Sequence, residues 1–309
     1  VGTRTLTFAS NGLTSATSNN ISITAGAATQ IAINAGNNQT AVAGAAVATA
    51  PSVIVRDANN NPVAGQTVTF AVATGGGTIT GATATTNAQG IATLGSWNLG
   101  GLAGTNTLTA TRSGLTGSPI TFTATGTVGQ ATQMAINAGN NQTATAGSFV
   151  TTQPSVVVRD ANNNPVSGVQ VTFAVASGGG TVIGASATTN ASGIAAAGSW
   201  ILGTTAGTNT LTATSNGLSG SPITFTATGT AGPASKLVIA TEPSASAIND
   251  VAFAQQPAVQ LKDVTGNNVL QSGVTITAVL ASGANTLGGT LTATTNANGL
   301  ATFTNLKIT

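Results

Sequence analysis

Short runs in which hydrophobic and polar residues alternate recur along the whole chain. In QTVTFAVA, residues 66–73, the side chains of Val68, Phe70 and Val72 fall on one face if the backbone is extended. The runs are rich in Val, Ile, Thr and Phe, and clusters of Gly, Asn and Pro separate them. No stretch shows the periodicity of an amphipathic helix. The pattern therefore predicts an all-β protein.

About seven strands in roughly 100 residues, with turn signals every 8–15 residues or so, is the pattern of an immunoglobulin-like sandwich. We expect one strand from each run, at 52–57, 66–73, 90–97, 105–111 and 118–126. Each strand must bury its apolar face. The predicted core therefore contains Phe70, Trp97, Leu108 and Phe122, together with Phe173, Trp200, Leu211 and Phe225 in the next copy of the pattern.

The chain repeats itself with a period of 103 residues. VRDANNNPV at 55–63 returns at 158–166, and GSWNLG at 95–100 returns as GSWILG at 198–203. A third, diverged copy begins near Ala234. Tandem copies of one all-β unit predict a linear array of sandwiches.

The third copy departs from the other two after Asp263. About three residues are inserted there, so that Asn296 is the counterpart of Asn87. Leu306 stands where the earlier copies have Trp97 and Trp200. The predicted core of this copy therefore differs from that of its neighbours.

The period divides the chain into two complete and two partial domains. We expect immunoglobulin-like domains at 27–128 and 129–231. Residues 1–26 are predicted to be the C-terminal strands of such a domain, and residues 232–309 the N-terminal strands of a diverged one. The joints between the units are only a few residues long, which limits bending. The sequence therefore predicts tandem sandwiches in a semi-rigid, rod-like array.

The two partial domains are complementary in length, since residues 234–309 and 1–27 together span one period. The expected partner of the chain is therefore another copy of itself, arranged head to tail. In one version the polypeptide continues through both ends into further repeats. In the other, residues 1–26 of one subunit complete the last sandwich of the next by strand addition.

The residues that recur also carry a family resemblance. The pattern VxVRDANNNPVxGxxVTFAVAxGGGT, followed by ATTNAxGIA and GTNTLTAT, resembles the bacterial immunoglobulin-like repeats of invasin- and intimin-type surface proteins. The resemblance covers essentially the whole chain. It implies an extracellular protein of the bacterial cell surface with a structural role, as a stalk or filament. The alternative is an adhesin module that contacts a host or environmental polymer.

Composition narrows the possible partners. Charged residues are 4% of the chain and the net charge is +2, so the polar surface consists of Thr, Ser, Asn and Gln. The basic residues are scattered, whereas nucleic-acid binding requires them in a cluster. No apolar run reaches the roughly 20 residues of a membrane span. We therefore expect neither nucleic-acid binding nor a membrane-spanning segment in these 309 residues. Glycans or cell-surface polymers are further candidate partners.

The chain also lacks the usual residues of catalysis. It contains no His and no Cys, which excludes a Ser–His pair, a thiol nucleophile and the usual zinc ligands. Glu242 and Asp250 are the nearest approach to paired carboxylates and stand in a loop-like stretch. We predict no enzyme activity, no cofactor, and no catalytic or metal-binding residues.

The polar cluster DANNNPV, which begins at Asp57 and again at Asp160, has two interpretations. Asn and Asp favour left-handed turns, which predicts a tight connection between strands. Their oxygens are also hard ligands, so a weak calcium site between domains is the alternative. With one Asp in each copy of the loop, Asp263 included, the turn is favoured.

Two further motifs allow a functional and a structural interpretation. Trp97 and Trp200 could stack on sugar rings, but one Trp per domain on a strand is typical of a core residue. TGGGT at 74–78 and SGGGT at 177–181 lack the Lys and the helix of a phosphate-binding loop. We expect a wide hairpin turn at each. Asn-x-Ser/Thr triplets, weak as glycosylation signals, begin at Asn20, Asn38, Asn141 and Asn190.

Overall fold

The computed structural model describes residues 1–309, and every regular element in it is a β-strand. The chain forms two compact units. The first comprises residues 1–131 together with 159–166, and the second comprises 132–158 together with 167–309. The boundary does not follow the sequence repeat, because the loop at 159–166 belongs with the first unit.

The chain begins with four short strands that pair only with one another. β1 pairs with β4 and β2 with β3, both antiparallel, as two separate two-stranded ladders. Their bounds are Gly2–Arg4 (β1), Thr7–Phe8 (β2), Ala16–Thr17 (β3) and Ile21–Ile23 (β4).

Ten strands then form the first complete sandwich. They are β5 (Ala28–Ala35), β6 (Gln39–Val42), β7 (Ser52–Asp57), β8 (Thr67–Thr74), β9 (Thr78–Thr80), β10 (Thr83–Thr85), β11 (Ile91–Thr93), β12 (Ser96–Asn98), β13 (Gly104–Thr111) and β14 (Ile120–Thr127). One sheet has the order β10-β8-β13-β14-β6, a second has β11-β7-β5, and β9 pairs with β12. The β14–β6 pair is parallel, and the other pairs are antiparallel.

The second repeat forms the same three sheets. Its strands are β15 (Ala131–Ala138), β16 (Gln142–Thr145), β17 (Ser155–Asp160), β18 (Gln170–Ser177), β19 (Gly180–Ile183), β20 (Ser186–Thr188), β21 (Ile194–Ala196), β22 (Ser199–Leu202), β23 (Gly207–Thr214) and β24 (Ile223–Thr230). The orders are β16-β24-β23-β18-β20, β15-β17-β21 and β19-β22.

The third copy has seven strands: β25 (Lys236–Thr241), β26 (Ala258–Lys262), β27 (Thr275–Thr277), β28 (Leu287–Gly288), β29 (Thr292–Thr294), β30 (Leu300–Thr302) and β31 (Lys307–Ile308). They form the sheet β25-β26-β30 and the pairs β27-β29 and β28-β31. The five-stranded sheet of the earlier copies is reduced here to β27 and β29.

The predicted cores are confirmed. The side chains of Trp97, Phe122, Leu108 and Phe70 are fully or almost fully buried, and their counterparts in the second repeat are buried likewise. Because Val, Phe and Leu alternate with Thr along each strand, one face of every long strand is apolar and packs inward. In the third copy Leu306 is buried at the position of Trp97.

The prediction of a single strand at 90–97 is wrong. Ile91–Thr93 pairs with β7, whereas Ser96–Asn98 pairs with β9 in another ladder. The chain changes sheet at Gly95, where a Cβ atom would lie 2.9 Å from the carbonyl oxygen of Thr80. The buried residues shift phase at that point, from Ala92 to Trp97, so the alternation of period two is broken.

The glycine-rich stretches are also not hairpin turns. β8 ends at Thr74 and pairs with β10 and β13, while β9 begins at Thr78 and pairs with β12. The three glycines between them therefore carry the chain from one sheet to another. All three have a positive φ, which is why glycine is required. SGGGT at 177–181 makes the same crossing from β18 to β19.

Candidate functional site

The DANNNPV loop is a tight turn built around the Asp57 carboxylate. Oδ1 accepts hydrogen bonds from the backbone N–H groups of Asn59 and Asn61, at 2.9 and 2.8 Å. Oδ2 accepts one from the Asn61 side chain at 3.0 Å and one from the backbone N–H of Gly26 at 2.8 Å. Asn60 takes the left-handed conformation that the turn requires. The predicted turn is confirmed.

The bond to Gly26 ties this loop to the joint that precedes the sandwich. The same bond recurs in the other copies, where Gly129 donates to Asp160 and Gly232 to Asp263, both at 2.9 Å. A carboxylate that is buried and still charged needs several donors. The recurrence shows that each Asp holds the strand of its own repeat to the incoming chain.

These hydrogen bonds lower the pKa of each carboxyl group. The Asn61 side chain and the backbone N–H groups around it lower the pKa of Asp57 to about 2. Burial raises the pKa of Asp160, but the bonds from Asn164 and Gly129 outweigh it, so that the pKa is lowered overall. The pKa of Asp263 is lowered in the same way. All three side chains are therefore charged at neutral pH.

The loop also bonds to the end of the preceding repeat, a role that sequence reasoning missed. Within the first unit, Asn164 accepts a hydrogen bond from Ala103 N at 2.9 Å and donates to Gly101 O at 2.8 Å. Asn162 donates to Ala43 O at 2.9 Å. Two side chains of one loop thus make three bonds to backbone groups of the first repeat.

An equivalent joint forms in the second unit and another at the start of the chain. Asn267 accepts from Ala206 N at 2.7 Å and donates to Thr204 O at 2.9 Å. At the start of the chain, the amino group of Val1 donates to the Asn61 side chain at 3.5 Å. The recurrence of the loop at each joint is the sequence signal that could have revealed this role.

The alternative interpretation of the loop as a calcium site finds no support in its geometry. Both oxygens of Asp57 face N–H donors, and a cation cannot replace a donor without breaking the turn. No group of three or more His, Cys, Asp or Glu side chains comes together in the structure. Asp250, which lies outside these loops, forms an ion pair with Lys307, with 2.5 Å between the charged atoms.

The two tryptophans are core residues and not a surface for sugar rings. Both side chains are fully buried, and the indole Nε1 of each has no hydrogen-bond partner. A buried N–H without a partner costs about 1–3 kcal/mol, so these residues are held by packing alone. Leu306 fills the same position in the third copy without that cost.

The third copy exposes apolar residues that the other copies bury. Leu237 is 52% exposed, whereas Ile31 and Met134 at the same position are each 4% exposed. In the first sandwich Ile31 N donates to Thr116 O, in the connection between β13 and β14, which covers it. We call the resulting groove the open face; it is lined by Leu237, Ile239, Val259, Ile276, Ala278 and Phe303.

The strands at the start of the chain have the form of the strands that cover this face in a complete sandwich. The partners Gly2–Ile23 in the β1–β4 ladder correspond to Gly104–Gly126 in the β13–β14 ladder, and the partners Phe8–Ala16 in the β2–β3 ladder correspond to Ala110–Ile120. Between the two short ladders the register shifts by one residue, which it does not do between β13 and β14. Their apolar side chains are exposed. Those at the positions that face a core or cover its edge are Leu6, Phe8 and Leu13.

Two positions in these strands depart from the pattern of β13 and β14. Arg4 stands where the complete sandwich has the buried Asn106. Ser18, which is hydrogen-bonded to Leu6, stands where the complete sandwich has Phe122. The first four strands therefore share part of the pairing of β13 and β14 and differ from them at these two positions.

Comparison with known proteins identifies the repeat. Residues 135–228 match the bacterial Ig-like domain family, group 1. The predicted resemblance to bacterial Ig-like repeats is thereby confirmed for the second repeat. The first repeat has the same strands in the same order, so the chain contains at least two tandem Ig-like sandwiches. A search of curated proteins gives no match.

Three solved structures of bacterial proteins are similar to this chain. The Escherichia coli adhesin FdeC is 21% identical, with a TM-score of 0.50, over 93% of this chain and 91% of that one. InvD of Yersinia pseudotuberculosis is 21% identical over 87% and 80%, with a TM-score of 0.43. Invasin, a bacterial integrin-binding protein, is 17% identical over 90% and 54%, with a TM-score of 0.42. The likeness to FdeC is one of fold.

The structure has no helix of the length and apolar character that crossing a lipid bilayer requires.

Proposed function

We propose that this protein is a structural component of the bacterial cell surface, a stalk or filament built from Ig-like repeats. The observation that carries the proposal is the joint, in which an Asp and an Asn of one loop bind the backbone on both sides of the repeat boundary. The match to the bacterial Ig-like family and the fold shared with surface adhesins support an extracellular location. No catalytic role is part of the proposal.

We further propose that the chain assembles head to tail. Strands with the sequence of residues 1–26 cover the open face, and they are supplied either by another copy of the chain or by a further repeat of the same polypeptide. This arrangement buries Leu237 together with the exposed side chains of Leu6 and Phe8. It also removes an unpaired sheet edge at β27, which would otherwise invite aggregation. A contact between two different surfaces of one chain propagates into an open filament.

Hydrogen bonds define which residues meet in this assembly. Gln66 N donates to Thr86 Oγ1 and Val274 N to Thr295 Oγ1, both at 2.9 Å, so Val274 is the counterpart of Gln66. By the same count, Val279 is the counterpart of Ala71.

In the first sandwich Ala71 is the ladder partner of Thr109, whose counterpart in the first strands is Thr7. We therefore place Thr7 of one copy beside Val279 of the next. Val279 is 78% exposed and Thr7 is exposed, so both positions accept a cysteine without disturbing a core.

Disulfide trapping tests this assembly directly, since the natural chain contains no cysteine. The variant Thr7→Cys/Val279→Cys, oxidised and run on a non-reducing gel, should give a ladder of covalent multimers. A mismatched pair, Thr7→Cys/Leu270→Cys, should give little cross-linking, because Leu270 is equally exposed but lies outside the open face. Equal ladders from both pairs, or a cross-link only within the monomer, would contradict head-to-tail assembly.

A second candidate function is adhesion, which the groove in the third copy favours because the other two copies bury that surface. FdeC is an adhesin with the same fold. In this case the open face binds an apolar segment of a host or environmental polymer. Leu237→Glu should then abolish attachment of the chain to the polymer-coated surface, while the Thr7–Val279 pair fails to cross-link. A stalk or filament also requires a rod-like arrangement of the repeats, and small-angle X-ray scattering measures the length and width of the chain in solution.

A further inference from the structure

We propose that Phe8 and Ala278 determine which strands the open face accepts. This inference rests on the head-to-tail assembly proposed above and identifies the pair of residues that makes it specific. It follows from a large side chain and a small one that exchange places between the complete sandwiches and the third copy.

In both complete sandwiches a phenylalanine faces an alanine across the same ladder. Phe70 on β8 pairs with Ala110 on β13, and Phe173 on β18 pairs with Ala213 on β23. All four side chains are buried. The ring therefore fills the space that its small partner leaves, which is how facing positions in a sheet reach close packing.

The third copy has lost this ring. Phe70 N donates to Ala82 O and Ala278 N to Leu291 O, at 2.7 and 2.8 Å, and these are equivalent bonds. Ala278 thus stands at the position of Phe70, directly after β27, and it lines the groove of the open face. A complete sandwich with alanine on both strands would contain a cavity of the size of a phenylalanine ring.

The missing ring is present on the first strands of the chain. GTRTLTF at 2–8 aligns without a gap with GTNTLTA at 104–110, so Phe8 stands at the position of Ala110. Phe8 is 62% exposed, although a phenylalanine at this place in a sandwich faces the core. In the assembly proposed above, Phe8 of one copy lies opposite Ala278 of the next.

A similar exchange is already visible inside the third copy. Val47 N donates to Trp97 O in the first sandwich, and Phe253 N donates to Leu306 O in the third. The large tryptophan has become leucine, and the small valine beside it has become phenylalanine. Leu306 is buried, and Phe253 packs against its cluster. Changes of size in this copy are therefore compensated by a neighbouring residue.

The exchange discriminates between correct and incorrect partners. A strand that carries Phe8 would overpack a sandwich that already contains Phe70 or Phe173. A strand of the β13 type, with alanine, would leave the open face with a cavity beside Ala278. Specific recognition needs contacts that favour the correct partner and contacts that disfavour the wrong one. The exchange of phenylalanine and alanine between the two strands supplies both.

A double-mutant cycle on the full chain tests the pair. We would measure self-association by sedimentation velocity over a concentration series for the natural chain, Phe8→Ala, Ala278→Phe and the double variant. Each single change should weaken association roughly tenfold or more, because one leaves a cavity and the other overpacks. The double variant restores the phenylalanine–alanine arrangement of the complete sandwiches and should return to within about threefold of the natural chain.

Both positions are partly or fully accessible in the isolated chain, so the variants should fold, and equal melting temperatures would verify this. Phe149→Ala is the matched control, since this phenylalanine is also exposed, at 58%, and should leave association unchanged. A natural chain that stays monomeric at every concentration overturns the assembly and the pair together. A natural chain that associates, with single effects that merely add in the double variant, overturns the pair and leaves the assembly standing.

Discussion

Asp160 accepts a hydrogen bond from the backbone N–H of Gly129 at 2.9 Å, and so ties a turn of the second repeat to the joint before it. Neighbouring residues of the same turn bond to the end of the first repeat. In a chain with 4% charged residues and no disulfide, a buried carboxylate at each joint is a costly group. The same bond orders all three joints.

Acid should weaken the joints in a defined pH range. The folded pKa of Asp57, about 2, lies below the ordinary value of 3.8, so its contribution to stability is present above pH 3.8. That contribution is lost as the pH falls toward 2, because the proton binds the unfolded state first. We expect the melting temperature to fall over this range, and Asp57→Asn to have a lower melting temperature at pH 7 with a flatter pH dependence. An unchanged pH dependence in the variant would contradict this role.

Removing Asn164 should destabilise the joint of the first unit. The side chain is 3% exposed, and Asn164→Ala leaves Ala103 N and Gly101 O without their partner, at a cost of about 1–3 kcal/mol. Chemical denaturation measures the loss. The control is Asn59→Ala, in the equivalent loop of the first repeat, where the side chain is exposed. Equal effects of the two substitutions would show that Asn164 has no special role.

The core of each sandwich should depend on its buried phenylalanine. Phe70 is 2% exposed, and Phe70→Ala should lower the free energy of unfolding by about 3–5 kcal/mol. Phe149→Ala, at an exposed position, should change it by less than about 0.5 kcal/mol. Urea denaturation followed by tryptophan fluorescence suits this test, because Trp97 lies in the same core cluster as Phe70. A loss below about 1 kcal/mol for Phe70→Ala would refute the assigned core.

A chelator should leave the melting temperature unchanged. The carboxylate oxygens of Asp57 already accept hydrogen bonds from four N–H groups, and these bonds stabilise the charged form. A metal that bound only the folded state would stabilise it, so its removal would lower the melting temperature. A fall of several degrees with EDTA, reversed by calcium, would establish a metal site and contradict this prediction.

Much of the fold could be predicted from the sequence, because alternation and repetition are local signals. Val68, Phe70 and Val72 showed a half-buried strand, and the 103-residue period showed tandem units. The break at Gly95 was missed, although the change of phase between Ala92 and Trp97 records it.

The joints and the exchange of Phe8 with Ala278 could not be predicted in this way. Asn164 meets Ala103 across 61 residues, and no periodicity reports such a contact. If the third copy is aligned by Asp263 alone, Ile276 falls at the position equivalent to Phe70. The hydrogen bonds of Val274 and Ala278 show instead that two of the inserted residues precede β27, which places Ala278 at the position of Phe70.

Head-to-tail assembly through the open face is tested most directly by the structure of the assembled chain, determined by cryo-electron microscopy at a resolution that shows side chains. We predict that the third sandwich is complete, with β2 of the next copy beside the end of β27, the ring of Phe8 against Ala278, and Leu237 as buried as Ile31. A structure in which Leu237 and Phe8 stay in solvent, or in which other residues cover the open face, would contradict it.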